Sequence, residues 1–310
     1  MNPMKRKLLS LMLCAALLCA CLPALAESGE VTVTDMTGRE ITLEGPAERI
    51  VALTAADCEI LYALGAGDRL VGRGEYCDYP AEVLEKPVVK SGAETNLEEI
   101  LALEPQVVLM GTMAQTKEQV EAIERSGVKV IVSEATDVEG VYQAIAIIGA
   151  VAGRNDEADA LIRQMQDTFA GISAQAEDTG RTVYFEISEL AYGLWTAGSG
   201  TFMDDLGRMC GLTNAFQDLQ GWQGISEESV LARDPDFIIT TSAYSYATGQ
   251  GGVEEIQGRP GWDVLKAVQN GRVFAVDYDA ITRPGPRLMD AVKELFDFVS
   301  IPDAQAQPAA

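Results

Sequence analysis

The sequence predicts an α/β protein built as two lobes of the same architecture, each with a parallel sheet, joined by a single long backbone helix. Three observations carry this expectation. From Arg49 onward, short β-branched runs alternate with helical patterns, the signature of parallel sheets covered by helices. Asp156 to Ala176 reads as one amphipathic helix, with Ala158, Leu161, Ile162, Met165, Phe169 and Ile172 at helical spacing; it would run about 30 Å at 1.5 Å per residue. The third observation is internal recurrence. Leu97-Glu98-Glu99-Ile100-Leu101-Ala102-Leu103-Glu104-Pro105-Gln106-Val107-Val108-Leu109 returns about 130 residues later as Glu227-Glu228-Ser229-Val230-Leu231-Ala232-Arg233-Asp234-Pro235-Asp236-Phe237-Ile238-Ile239. Each copy is a capped helix, an acidic residue before Pro, and a strand. The next helix and strand recur as well, since Val120 to Val132 resembles Val264 to Val276, with Gly127 answering Gly271.

In chain order, Lys5, Arg6 and Lys7 precede an apolar run from Leu8 to Ala20 that is too short to cross a bilayer comfortably and has the form of a secretion signal. Leu18-Cys19-Ala20-Cys21 reads as a lipobox that would acylate Cys21, and Ala24-Leu25-Ala26 as a competing cleavage site. Either one ends the signal within residues 1–26 and places the mature chain outside the cytoplasm. Val31 to Leu43 reads as a hairpin turning at Thr37-Gly38. Strands at Ile50 to Leu53, Val107 to Met110 and Val128 to Val132 then define an N-terminal lobe over 31–137. Val138 to Ala152 forms a helix, Gly153-Arg154-Asn155 breaks it, and the long helix follows, so 138–178 connects the lobes as a rigid strut. Strands at Val183 to Ile187, Phe237 to Thr240 and Val273 to Val276 make a C-terminal lobe over 179–301, and 302–310 form a disordered tail.

Composition excludes whole classes of function. The formal net charge is −24, which keeps an exported protein soluble and repels nucleic acid and anionic lipid. The chain has no His, so Ser-His-Asp hydrolysis, Cys-His proteolysis and His-rich zinc or manganese capture are out of reach, and no cofactor is implied. Three of the 6 cysteines lie in the signal region, leaving Cys58, Cys77 and Cys210. An odd number allows at most one bridge, with Cys58 and Cys77 as its expected partners.

Glu98 and Glu228 hold equivalent positions in the two copies, each about two residues past a helix cap, Asn96 or Ser226. A first-turn carboxylate complements the helix dipole by about 0.3–1 kcal/mol, and Asn96 with Glu99 also fits a capping box. Their duplication suggests a second role, as two carboxylates on two lobe tips facing two basic pockets of a symmetric partner. Aromatic residues make up only 6 % of the chain, so their placement matters. Tyr76, Trp195 and Trp222 each fall just outside a predicted element, where aromatic side chains line clefts more often than cores. Tyr79, beside Pro80, and Trp262, after Pro260-Gly261, are assigned to packing. Arg283-Pro284-Gly285-Pro286-Arg287 opens the last helix, and an arginine there either meets an anionic group of a ligand or neutralises the protein's own carboxylates. Gly198-Ser199-Gly200 and Gly249 to Gly252 lack the remaining residues of a phosphate cradle or nucleophile elbow.

At Glu48-Arg49-Ile50-Val51-Ala52-Leu53 with Glu59-Ile60-Leu61, at Tyr76 to Pro80, at Asn96 to Pro105 and at Gly258-Arg259-Pro260-Gly261-Trp262 through Val276, the chain resembles the class III solute-binding proteins of ATP-binding-cassette (ABC) importers, which carry ferric siderophores, haem or cobalamin. The similarity covers nearly the whole mature chain. It implies a monomer of two Rossmann-like lobes on one backbone helix, closing modestly on its ligand. It also implies a partner, a permease dimer with ATPase subunits, onto whose arginines Glu98 and Glu228 dock. Tyr76, Trp195 and Trp222 match aromatic residues of the cobalamin-binding members, while two further aromatic positions of those members fall near Gly92 and Gly111. A ferric siderophore would draw on Arg283, Arg287 or Tyr244. The lack of His tells against haem, although Tyr76 could ligate iron, and the low basic content tells against highly anionic catecholate complexes. The expectation is ligand capture without chemistry by an extracytoplasmic, lipid-anchored protein. Two alternatives stand beside it: a secreted glycosidase using Glu98 and Glu228 as acid and base within about 10 Å of each other, and a surface sensor or adhesin that engages no permease.

Overall fold

A computed structural model describes residues 29–111 and 116–301; the signal region with Cys21 and the expected tail at 302–310 lie outside the described residues. The chain enters through the hairpin of β1 (Val31–Thr34) and β2 (Glu40–Leu43). Val33 and Ile41 turn into the core from it. Asp35 holds its turn, accepting hydrogen bonds from the backbone N–H groups of Thr37 and Arg39 at 3.0 Å each. Gly38 supplies the left-handed residue, at φ 83°.

The N-terminal lobe continues through β3 (Ile50–Ala52), α1 (Ala55–Ala63), β4 (Leu70–Gly74), β5 (Val88–Val89), α2 (Leu97–Ala102), β6 (Val107–Met110), α3 (Lys117–Arg125) and β7 (Lys129–Val132). Its sheet has the order β5-β4-β3-β6-β7 and every pairing is parallel. β3 and β6 are buried along their whole length, which is why they read as unbroken apolar runs rather than as alternations. The unpredicted strand β4 carries Gly72, Arg73 and Gly74; its glycine at 72 lies under Leu103, whose Cδ1 would stand 2.3 Å from an added Cβ. A side chain there would require Leu103 to shift.

Helices α4 (Val138–Val151) and α5 (Asn155–Gln175) join the lobes. The C-terminal lobe follows as β8 (Thr182–Glu186), β9 (Trp195–Ala197), α6 (Phe202–Met209), β10 (Thr213–Asn214), β11 (Trp222–Gly224), α7 (Glu227–Arg233), β12 (Phe237–Thr240), α8 (Gly252–Gln257), α9 (Lys266–Gln269), β13 (Val273–Ala275), α10 (Tyr278–Thr282) and α11 (Leu288–Val299). Its sheet runs β11-β9-β8-β12-β13, with β10 beside β8. The expectation of a parallel sheet holds for β10, β8, β12 and β13 and is corrected at one edge, where β9 and β11 pair antiparallel. The link from β8 to β9 is too short for the crossover helix that a parallel neighbour requires.

The internal repeat is visible in the backbone. Glu104 and Asp234, each before a proline, adopt φ 47° and 44°, the described residues other than glycine with positive φ. Gly127 and Gly271 likewise share a positive φ, at 92° and 63°. Asn96 caps α2 by accepting from the N–H groups of Glu98 and Glu99, and Ser226 caps α7 by accepting from that of Ser229. The expected capping box at Asn96 does not close, because Glu99 Oε2 accepts instead from the Lys90 N–H at 2.9 Å. One apolar cluster runs from Ile50 and Leu109 through Ile145, Met165 and Phe169 to Val183 and Phe237, uniting both sheets with the connecting helices. A smaller cluster covers the far face of each sheet. Trp262 belongs to the one in the C-terminal lobe, fully buried as expected, with its Nε1 donating to Glu227 Oε2 at 3.0 Å.

The expected bridge is absent. Among the described residues Cys58, Cys77 and Cys210 are free and buried. Cys58 and Cys77 do lie together, each sulfur 3.9 Å from the Ala52 carbonyl oxygen, but as thiols directed at the same acceptor.

Candidate functional site

Ligands of open α/β sheets bind outside the carboxyl ends of the strands. In both lobes the segments leaving those ends carry exposed aromatic side chains. Tyr76 and Tyr79 follow β4, Tyr192 and Trp195 follow β8, Tyr244 and Tyr246 follow β12, and Tyr278 follows β13. Tyr76 is 78 % exposed, Trp195 48 % and Tyr246 82 %. Aromatic rings left this open by a chain with so few of them form the candidate binding surface.

Each bearing segment is held from beneath. The buried guanidinium of Arg73 donates to the Cys77 carbonyl at 2.8 Å, fixing the turn that carries Tyr76. The buried carboxylate of Glu189 accepts from Ser245 Oγ at 2.7 Å and from the Tyr246 N–H at 3.4 Å. That bond ties the loop after β12 to the loop after β8, and Tyr244 and Tyr246 meet edge to face at 5.5 Å between centroids. Trp195 is fixed by the pairing of β9 with β11, where Gly224 stands opposite it.

Of the residues expected from sequence to meet a ligand, Tyr76, Trp195 and Tyr244 present their rings to solvent. Trp222 is placed differently. It begins β11, half-buried, with its indole edge-on to Phe202 at 5.2 Å and packed against the shared core. Sequence reading took it for a loop residue because a three-residue edge strand leaves no periodicity to detect. Tyr192, Tyr246 and Tyr278 were missed; their signal was a tyrosine a few residues beyond a strand end. Tyr79, assigned to packing, is 47 % exposed, with the Arg287 guanidinium 4.3 Å above its ring.

Arg283 is already engaged. Its Nη1 donates to Asp78 Oδ1 at 2.6 Å and to Glu59 Oε1 at 3.1 Å, and Nη2 lies 2.7 Å from Asp279 Oδ1. Burial opposes its charge, but the bonds to Asp78 and Glu59 more than offset that and hold its pKa above the ordinary arginine value. Asp78 is correspondingly held below the usual carboxylate range by Arg283. A solute reaching Arg283 therefore meets a neutralised group, not a free cation.

At the end of β3, Asp57 is wholly buried with hydroxyls as its partners: Thr54 Oγ1 donates to Oδ2 at 2.6 Å and Ser133 Oγ to Oδ1 at 2.5 Å. Burial raises its pKa to about 6, against the pull of those two bonds. Glu98 and Glu228 sit exposed in the first turns of α2 and α7, while their neighbours Glu99 and Glu227 turn inward to Lys90 and Trp262. The helix N-terminus and Ser226 keep the Glu228 carboxyl below its ordinary pKa, so it is charged at neutral pH. Because each helix runs back before the next parallel strand, both carboxylates lie toward the carboxyl ends of β6 and β12.

A family model described as periplasmic binding protein matches residues 50–280. The chain belongs to this family. The expected likeness to its class III members holds. An uncharacterised ABC transporter substrate-binding lipoprotein of Bacillus subtilis, YvrC, is 31 % identical over 87 % of this chain and 85 % of its own. Among solved structures, a possible iron-binding (periplasmic solute-binding) protein of Staphylococcus epidermidis is 30 % identical, with a TM-score of 0.72 over 82 % of this chain and 99 % of its own. The periplasmic vitamin B12 binding protein BtuF of Vibrio cholerae is 26 % identical, with a TM-score of 0.71 over 84 % and 99 %. This periplasmic binding protein is thus a solute-binding component of the ABC importer class, whose relatives include proteins named for binding vitamin B12, haem or iron.

Proposed function

We propose that the protein captures cobalamin, or a corrinoid of the same flat and uncharged character, in the crevice between its lobes and hands it to a permease dimer driven by ATPase subunits. The observation that carries this is the set of exposed rings at the strand ends, Tyr76, Tyr79, Tyr192, Trp195, Tyr244, Tyr246 and Tyr278, beside arginines whose charge is taken up by Glu59, Asp78 and Asp279. Such a wall stacks on a broad macrocycle and hydrogen-bonds its amides through phenols, and it offers an anionic chelate little. The B12-binding relative supports the choice. A neutral ferric hydroxamate siderophore suits the same surface, and the iron-binding relative of Staphylococcus epidermidis favours it as the second reading.

Glu98 and Glu228 are the proposed contacts to permease arginines, one from each lobe, and Cys21 the proposed site of the lipid anchor that keeps the protein at the outer face of the membrane. The glycosidase alternative gains nothing from the structure, since the two carboxylates stand exposed in the first turns of helices on separate lobes. Native mass spectrometry of the mature protein tests the cargo. Mixed with cyanocobalamin, a neutral ferric trihydroxamate, a ferric tris-catecholate and haemin, it should retain one cyanocobalamin per chain. Retention of the hydroxamate alone would establish the second reading, and retention of the catecholate or haemin would refute both.

A further inference from the structure

Arg283 and Arg287 belong to the segment that leaves β13 through α10 and enters α11, all within the C-terminal lobe. Their guanidinium groups nevertheless reach the other lobe. Glu59, one turn into α1, is 3 % exposed and takes both of them. Arg287 Nε donates to its Oε2 at 2.9 Å and Arg287 Nη2 to its Oε1 at 2.6 Å, a bidentate pair, while Arg283 Nη1 reaches Oε1 at 3.1 Å. Arg283 also grips Asp78, and Arg287 covers Tyr79, both on the loop of the N-terminal lobe that carries Tyr76. Between the two arginines the backbone comes close: a Cβ on Gly285 would stand 3.9 Å from Glu59 Oε2 and 4.0 Å from the Ala56 Cα.

From their own side the arginines are steered by Asp279, 2.7 Å from Arg283 Nη2, and by Asp277, 4.0 Å from Arg287 Nη1. The pull across the crevice thus falls to Glu59 and Asp78. Of these Asp78 is exposed and Glu59 is buried, so salt screens the first and hardly touches the second. A bidentate pair fixes orientation as well as distance, and a buried carboxylate left without its partners is costly, so the contact resists opening in small increments.

We infer that Glu59 is an inter-lobe clamp, a positioning residue that holds the Arg283–Arg287 segment against α1 and so sets the opening of the aromatic crevice before any solute arrives. The inference rests on reading that crevice as the binding site, but its test needs no solute, so its failure and that of the cargo assignment are distinguishable. Spin labels attached after Glu98→Cys and Glu228→Cys, one on each lobe, report the separation by pulsed electron–electron resonance; the native thiols are buried. The parent should give one narrow distance population. Glu59→Gln, which keeps shape and removes charge, should at least double its width, and Arg287→Gln should do the same from the other lobe. Combining the two should give clearly less than the sum of the single effects, because the Arg287–Glu59 pair is common to both. A distribution unchanged by Glu59→Gln and by Arg287→Gln would overturn the clamp, as would effects that simply sum.

Discussion

The N-terminal lobe exposes Tyr76 and Tyr79 from a single loop, whereas the C-terminal lobe exposes Tyr192, Trp195, Tyr244, Tyr246 and Tyr278 from three strand ends. Beneath them the lobes repeat each other: a capped helix opening on two carboxylates, a left-handed residue before proline, a buried strand, and a second helix and strand divided by a positive-φ glycine. The hydrogen-bonded skeleton and the first-turn acids recur while the loops at the strand ends do not. Loops can change without disturbing the core, and the proposed ligand contacts fall where the repeat fails, the proposed docking carboxylates where it holds.

The sharpest break of this division is at the docking residues. Glu98→Ala with Glu228→Ala should lower uptake in a reconstituted importer by about a hundredfold or more, as loss of paired charges at an interface does, while cobalamin affinity stays within about twofold. Either single variant should retain part of the activity if the lobes dock independently. A double variant with normal uptake would remove docking from the repeated skeleton.

Two buried carboxylates, one from each lobe, differ next in their partners. In the C-terminal lobe Glu186 is met by Arg259 in a bidentate pair at 2.7 and 2.8 Å, whereas Asp57 of the N-terminal lobe has hydroxyls only. With its folded pKa raised to about 6, Asp57 binds a proton in the folded state before it does in the unfolded one. Its contribution to stability is therefore most favourable below its unfolded pKa and is lost as pH rises through about 6. Asp57→Asn should be more stable than the parent by up to about 3 kcal/mol at pH 7, and the gain should vanish near pH 4, as read from urea unfolding across that range. A gain independent of pH would contradict the assignment.

Among the rings the effect is smaller and asymmetric. Trp195→Ala should weaken cobalamin binding about tenfold, as expected for losing one stacked aromatic contact, and Trp222→Ala should instead lower the melting temperature, since that ring packs on Phe202 and the core. The smallest difference lies at the paired left-handed residues. Glu104 is exposed, and Glu104→Gly should stabilise by about 0.5–1 kcal/mol by relieving its φ of 47°. Asp234→Gly should gain nothing, because Asp234 Oδ1 accepts from the Lys266 N–H at 2.8 Å and holds the start of α9. Melting curves of the two variants decide it.

The repeat, the long helix, the opening hairpin and six further strands could be read from sequence, because apolar runs between clear stops leave a periodic trace. β4 and the β9–β11 edge could not, since Gly72, Arg73 and Gly74 in the one and three-residue strands in the other carry no such trace. The exposed carboxylates, Tyr76 and Trp195 were found by position, and Tyr244 through the family resemblance. At Arg283 and Arg287, where the sequence left open a ligand or the protein's own carboxylates, both guanidinium groups meet Glu59, which lies 224 positions before Arg283. Such a contact leaves nothing in either segment to announce the other.

The central claim is that solute binds on the aromatic surface at the strand ends, chiefly on the C-terminal lobe. Calorimetric titration of cyanocobalamin into the mature protein and into the combined variant Trp195→Ala, Tyr244→Ala tests it most directly. The account predicts saturable one-to-one binding that weakens at least about thirtyfold in the variant while its unfolding transition is unchanged. Equal affinity in the two proteins would contradict it and move the site away from the crevice.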